Sequence, residues 1–185
     1  MRWIKRLLIA LIVLTTIIFI IGMVLPNDYR VERSIHIDAP IQIIFDQVNN
    51  LKNWDAWSPW IANDSSIQNT HSGPESGVGA KVVWESERSG SGSQTITRSE
   101  PPNKIETALA FGDMDTATSD FVFTQSGSGT QVTWGMSGET NRPLGGIFAK
   151  MIGGWVGKDY EDGLRRLKSY TEELPDRVET ATGTN

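Results

Sequence analysis

Few residues in this 185-residue chain have the chemistry for catalysis or metal binding. There is no cysteine, which removes disulfides, thiolate metal sites and thiol nucleophiles together. A serine-based triad needs a histidine as base, and only His36 and His71 exist. His36 falls on the polar side of an alternating stretch and reads as an exposed structural residue. His71 precedes Ser72-Gly73-Pro74, near a strand end, and the bland reading is preferred there too. Two isolated histidines fall short of the three or four ligands zinc requires, so no metal is expected. Asp113 and Asp115 form an Asp-x-Asp with too few oxygens for calcium, which reads as an acidic turn. Asn63-Asp64-Ser65 matches a glycosylation sequon but reads as a polar loop. The serine-glycine loops lack a following Gly-Lys-Ser/Thr and open no helix, so they are not phosphate cradles. No catalytic residue and no cofactor is assigned.

The aromatic set is more informative. Seven tryptophans are present, six of them from Trp54 onward. Trp84, Leu109, Phe111, Phe121, Phe123, Trp134, Met136, Phe148, Met151 and Trp155 are the candidates for lining an apolar pocket of the kind small ligands prefer. The alternative is that they fill the core, as aromatic residues usually do. Trp54, Trp57 and Trp60 are expected to pack two short helices against the sheet edge, the alternative being that Trp57 or Trp60 gates the cavity mouth.

These side chains need a sheet and a helix to position them. Tyr29 to Ile37 alternates, with Tyr29, Val31, Ile35 and Ile37 on one face, and predicts a half-buried strand. Asp38 and Pro40 supply helix-start chemistry for Ile41, Ile44, Phe45 and Val48 at helical spacing. Asn49-Asn50 ends that helix and caps a second, Leu51 to Ala56, which Ser58-Pro59 closes. From about Ser66 to Gly138 the chain reads as an antiparallel meander of about six strands. The clearest are Ala80–Ser86, Gln94–Ser99, Lys104–Phe111, Thr118–Gln125 and Thr130–Ser137, separated by turn-rich stretches such as Pro101-Pro102-Asn103. Pro143 to about Leu174 predicts one long helix whose apolar stripe is Phe148, Met151/Ile152, Trp155, Leu164, Leu167 and Leu174. Lys158–Asp162, Glu161–Arg165 and Asp162–Arg166 sit at i,i+4 on its solvated side. Six glycines in its first two thirds each cost up to ~1 kcal/mol of helix propensity, which points to a close approach, a bend or room for a ligand. Pro175 is expected to stop the helix, leaving a disordered tail over 175–185. The fold class is α+β, with the long helix covering the apolar face of the sheet.

Leu7 to Leu25 carries no charge. At ~1.5 Å per residue it spans roughly 28 Å, the hydrocarbon thickness of a bilayer. A cleaved signal peptide needs a shorter apolar stretch and a small-x-small site, and Met23-Val24-Leu25-Pro26-Asn27 offers none. Residues 1–26 are therefore expected to be a signal anchor, 27–174 the folded domain and 175–185 a tail. Arg2, Lys5 and Arg6 bias the N-terminus to the cytoplasm and the domain outward, to the periplasm if the source is Gram-negative. The formal charge is −5, and those three residues precede the apolar run, so the rest of the chain carries −8. A body that acidic lacks the basic footprint nucleic acid demands.

Several stretches resemble the START-like helix-grip (SRPBCC) superfamily, in its bacterial polyketide cyclase/dehydrase-like branch. They are Val31-Glu32-Arg33-Ser34-Ile35-His36-Ile37-Asp38-Ala39-Pro40 with Phe45 and Val48, Asn53-Trp54-Asp55-Ala56-Trp57-Ser58-Pro59-Trp60, and Ser72-Gly73-Pro74 with Gly77-Val78-Gly79-Ala80. Trp84, Gly129-Thr130-Gln131-Val132-Thr133-Trp134 and Gly163-Leu164-Arg165-Arg166-Leu167-Lys168 continue it. The likeness spans roughly residues 29–174. It implies a curved antiparallel sheet of about seven strands around the long C-terminal helix, with a hydrophobic cavity between them, and does not by itself imply catalysis. The leading expectation is a membrane-anchored module binding a hydrophobic small molecule, lipid-like or aromatic. A cyclase- or aromatase-type enzyme is the second, with Asp159, Tyr160 and Thr107 as the polar residues to move a proton or polarise a carbonyl. An envelope interaction module without ligand is the third, its protein partner unknown.

Overall fold

The alternation of Val31, Ile35 and Ile37 with polar neighbours produces strand β1, Asp28–Ile37. The computed structural model describes residues 2–112, 116–140 and 144–182, with side chains to Leu174. Helix α1 (Arg2–Val24) precedes β1, and α2 (Ile41–Asn49), a 3-10 turn at Asn53–Ala56 and α3 (Pro59–Asn63) follow it. The meander is β2 (Gln68–Ser72), β3 (Lys81–Glu85), β4 (Gly92–Glu100), β5 (Lys104–Ala110), β6 (Thr116–Ser126) and β7 (Gly129–Glu139), and α4 (Gly145–Thr182) closes the chain. All strands pair antiparallel in one sheet, in the order β1-β7-β6-β5-β4-β3-β2. β7 hydrogen-bonds back to β1, so the first strand sits beside the last, and the polar β2 is the far edge. A bulge between Ile96 and Arg98 bends the β4–β5 ladder and adds to the curvature.

Period-two patterning decides which face is wet. Phe121, Phe123, Val132, Trp134, Met136, Ile105 and Ile96 point to the inner face and are buried. α4 packs on β1 and β7, and α2 also packs against it. On the same inner face Arg33 crosses to α4, where its Nε lies 2.5 Å from Glu161 Oε1. Glu161 therefore serves the sheet, while Asp162 takes both Arg165 and Arg166 at 3.2 and 2.8 Å. On the outer face Arg30 pairs with Asp120 and Glu32, and these partners hold its guanidinium pKa above the ordinary value.

Several local expectations are corrected. Asp38 does not cap α2: Pro40 occupies the cap position without a side-chain bond, and the Asp38 carboxylate faces His36 at 3.1 Å and Lys168 at 3.8 Å. Ser58-Pro59 does not close a helix. It opens α3, with Pro59 in the first turn, where a missing N–H costs nothing. The helical backbone of α4 runs past Pro175 to Thr182. His36 is exposed, as expected of a structural histidine, and Asp113 and Asp115 lie outside the described residues.

Close approach accounts for four of the α4 glycines, the first being Gly145, where a Cβ would stand 2.7 Å from the Thr140 carbonyl oxygen. A Cβ at Gly146 would stand 2.5 Å from Leu25, one at Gly157 2.2 Å from the Arg33 guanidinium, and one at Gly163 2.6 Å from the Trp134 ring and 3.1 Å from Pro59. Gly154 has nothing within 4 Å. Gly163→Val is accordingly expected to destabilise by about 1–3 kcal/mol through overpacking, whereas Gly154→Ala should stabilise by up to ~1 kcal/mol. Thermal unfolding of the two variants followed by near-ultraviolet circular dichroism checks the opposite signs.

Candidate functional site

Because α4 lies over β1 and β7, the β2–β5 half of the sheet is left without a helix of comparable length above it. The space there is roofed by α3 and by the fourth and fifth turns of α4, and it stays hollow. The cavity measures about 240 Å³ and is partly open to solvent. Leu51, Trp54, Val82, Trp84, Leu109, Phe111, Trp134, Met136 and Val156 supply an apolar wall, with Trp60 and Ile61 from α3. The polar lining includes Gln94, Ser119, Asp159 and Tyr160, with Ser89 and Asn69 from the loop and edge-strand side.

The aromatic wall is built from cross-strand neighbours. Phe121 opposes Trp134 in the β6–β7 ladder and stacks on it at 4.7 Å, and Trp134 stacks on Tyr160 of α4 at 3.9 Å with the rings 12° from parallel. Gly163 makes that stack possible, since any side chain there would displace the indole. Trp84 leans across the ladder onto Gly92, its register partner, whose Cβ would fall 2.2 Å from the ring. Phe111 meets Trp84 edge-on at 6.0 Å.

The polar groups are nearly all committed to one another. Trp134 Nε1 donates to Ser119 Oγ at 3.0 Å, and Ser119 Oγ donates to the Gly135 carbonyl at 3.0 Å. The Ser119 hydroxyl has one proton, so in the 3.3 Å contact with Tyr160 Oη the tyrosine is the donor. Burial pushes the Tyr160 pKa well above the ordinary phenol value, and its proton is held at neutral pH. Gln94 Nε2 donates to Thr107 Oγ1 at 3.3 Å, and Thr107 lies beneath the lining, fully buried in the sheet. Asp159 differs from these groups. Burial raises its carboxyl pKa above the usual range, the Trp60 side chain lowers it through a hydrogen bond, and nearby Asp162 raises it. Trp60 of α3 and Asp159 of α4 thus line the cavity together.

A clasp holds the loop side. Asp64, at the end of α3, accepts from the Ser66 amide at 3.0 Å and from the Ser66, Ser86 and Ser89 hydroxyls at 2.6, 2.5 and 2.6 Å. These donors favour the charged carboxylate and hold its pKa far below the usual range. The clasp's stability is thus complete above the ordinary carboxylate range and is lost only as pH falls through the depressed pKa. Asp64→Ala should free the β3–β4 turn and speed ligand exchange several-fold, as stopped-flow release of a bound fluorophore would report.

Of the residues singled out from the sequence, Trp84, Leu109, Phe111, Trp134 and Met136 are brought together on the cavity wall. Phe121 and Phe123 share that face of the sheet but are buried in the packed core, at 5.7 Å from Trp54 and 5.6 Å from Phe45 respectively. Phe148, Met151 and Trp155 are not in the cavity: they are 51%, 42% and 60% exposed on the outer side of α4. The α4 residues that do reach it are Val156, Asp159 and Tyr160, one or more positions further along. Trp57 is part of the core rather than a gate, with its Nε1 buried and without a hydrogen-bond partner. Trp60 lines the cavity and is also 37% exposed, and Ile61, Ile67 and Gln94 were not singled out at all. His71 is half-buried in β2, and among the described residues no cluster of three or more His, Cys, Asp or Glu could hold a metal.

A family model described as polyketide cyclase / dehydrase and lipid transport matches residues 28–172. No curated protein matches the chain. Solved structures share the fold at low identity. One, a protein from Chromobacterium violaceum, is 14% identical, with 79% of this chain and 97% of that one covered and a TM-score of 0.54. Another, from Nitrosospira multiformis, is 17% identical, with 76% and 94% covered and a TM-score of 0.58. The di-domain ARO/CYC protein StfQ from the steffimycin biosynthetic pathway is 11% identical, with 80% of this chain and 52% of StfQ covered and a TM-score of 0.61.

Proposed function

Since the chain belongs to the polyketide cyclase / dehydrase and lipid transport family, we propose that it is a membrane-anchored module that holds one small apolar molecule, lipid-like or aromatic, between its sheet and α4. The observation that carries this reading is the hollow itself. It has an apolar wall with a few polar groups converging on it, the arrangement expected of a ligand site rather than of a core. A sheet and helix free to close would have filled such a space, because unfilled volume costs stability.

The volume limits the occupant. At about 240 Å³ the cavity lies just under the roughly 300–1,000 Å³ of pockets that take drug-sized ligands. A fused pair of rings or a short length of a single acyl chain fits, with any remainder emerging at the mouth, whereas the two chains of a phospholipid do not. The anchor reading rests on α1, a 23-residue helix long and apolar enough to cross a bilayer. Only residues 25–27 separate it from β1, so the cavity would stand close to the membrane that could supply or receive the ligand.

Two measurements test the reading. Organic extraction and mass spectrometry of the full chain, purified in phospholipid nanodiscs, should recover a stoichiometric apolar compound absent from empty nanodiscs. Recovery of nothing, together with failure to take up small aromatic probes, would sink the proposal. The second is a pH dependence. Burial already favours the neutral Asp159 carboxyl, and an apolar occupant would remove more water from it. Affinity for an uncharged ligand should be greatest at and below the ordinary carboxylate range, and should fall as pH rises through the raised pKa. In Asp159→Asn that dependence should vanish.

The raised Asp159 pKa also favours a second reading, a cyclase- or aromatase-type enzyme with Asp159 as proton carrier. It requires a reaction that Asp159→Asn abolishes while ligand binding survives.

A further inference from the structure

Phe148, Met151 and Trp155, excluded from the cavity, form a surface of their own. With Leu144 they repeat at spacings of four, three and four, which places all four on one side of the first three turns of α4. All four are exposed, although the helix is also apolar on its inner side, where Ala149 is buried and Ile152 packs against the core. The acidic character of the domain is absent here, and Lys150 is the charged residue between them.

The position of this stripe singles out its occupant. A Cβ at Gly146 would strike Leu25, so the end of α1 lies directly against the first turn of α4. Asn27 and Thr140 clamp the same junction: the Thr140 amide donates to the Asn27 carbonyl at 2.8 Å, and Asn27 Nδ2 donates to the Thr140 carbonyl at 3.0 Å. The stripe therefore starts where the exposed apolar surface of α1 ends, and the two are held in a fixed relation. Given α1 as a membrane span, on which this inference rests, the geometry points to a lipid surface as the partner of Leu144, Phe148, Met151 and Trp155. The first three turns of α4 lie in the outer interface of the same bilayer, with the apolar side chains among the acyl chains and Lys150 reaching to the headgroups.

This arrangement turns a single-helix tether into a two-point attachment. Val156 and Asp159, which follow Trp155 on α4, line the cavity, so the attachment also holds that part of its wall within about a helical turn of the lipid. With one lysine and an acidic domain, apolar burial rather than charge holds the helix down. Neither salt nor the share of anionic lipid should alter the immersion.

The absence of cysteine makes the test direct. Nitroxide labels are placed by Phe148→Cys, Trp155→Cys, Ile17→Cys and Asp55→Cys in separate full-length chains in phosphatidylcholine nanodiscs. All four positions are exposed, so labelling leaves the fold intact. Accessibility to oxygen and to a water-soluble nickel chelate is then read by paramagnetic resonance. The expected result is several-fold higher oxygen than nickel accessibility at 148 and 155, matching Ile17 and reversed at Asp55. Labels at 148 and 155 in water while Ile17 is in lipid would overturn the inference and leave the anchor standing. If Ile17 is in water too, anchor and inference both fail. Shielding of 148 and 155 from both reagents would show a protein surface or second copy covering the stripe, and would overturn the lipid assignment.

Discussion

Replacing Trp134 by alanine should destabilise the domain by about 3–5 kcal/mol, the range for deleting a fully buried indole. Against a total of roughly 5–15 kcal/mol for a domain, that takes a large share of the margin. Trp134 is 1% exposed and makes ring contacts with Trp54, Trp57, Trp60, Phe121 and Tyr160, so the cavity created would lie where sheet, α3 and α4 meet. Its loss would also leave Ser119 Oγ short of a donor and Tyr160 without its stacking partner. Trp134→Phe separates these contributions. It retains the stack and forfeits the Nε1 bond, at a cost nearer ~0.5–1.5 kcal/mol for one hydrogen bond, since Ser119 Oγ keeps Tyr160 and the Gly135 carbonyl as partners. Thermal and chemical unfolding of both variants should preserve this order. If the alanine variant lost less than the phenylalanine one, the account of Trp134 as the keystone of the wall would be wrong.

Filling the cavity should have the largest functional effect. Leu109 stands half-buried on its wall, and Leu109→Trp directs an indole into the space. Because the space is empty rather than packed, stability should change by less than the ~1–3 kcal/mol that overpacking a filled core costs. Binding of a small aromatic probe should fall at least ten-fold, about 1.4 kcal/mol. A variant that stays folded and still binds at wild-type affinity would place the ligand elsewhere.

The sequence was most legible where one period governed a whole element. β1, β6 and β7 follow from alternation, because each has one wet and one dry face. The 38-residue α4 is harder to read, since its first turns are apolar on both sides. Phe148, Met151 and Trp155 were assigned to the same stripe as Leu164 and Leu167, yet they lie one position out of phase with Ile152, Val156 and Tyr160, which face the sheet. Hydropathy does not separate a face toward protein from a face toward something else. Thr171, buried on the inner side, was hidden by its hydroxyl, whereas Asp159 and Tyr160, named for their polar groups, do line the cavity. For Phe121 and Phe123, alternation gave the face of the sheet but not the distance from the hollow, which depends on where α2 and Trp54 come to rest. α3 was signalled by Ser58-Pro59, a cap followed by a proline in the first turn, but the pair was read as a stop. Its consequence was Trp60, a lining residue of the cavity.

The central claim is that the space between sheet and α4 accepts an apolar molecule. Its most direct test is calorimetric titration of the full chain in phospholipid nanodiscs with 1-naphthol, at two temperatures and with empty nanodiscs as blank. One saturable site with a negative heat-capacity change, the mark of apolar surface leaving water, and loss of that signal in Leu109→Trp are the predicted result. A wild-type chain showing only the partitioning heat of the blank, or a filled variant binding as the wild type does, would contradict it.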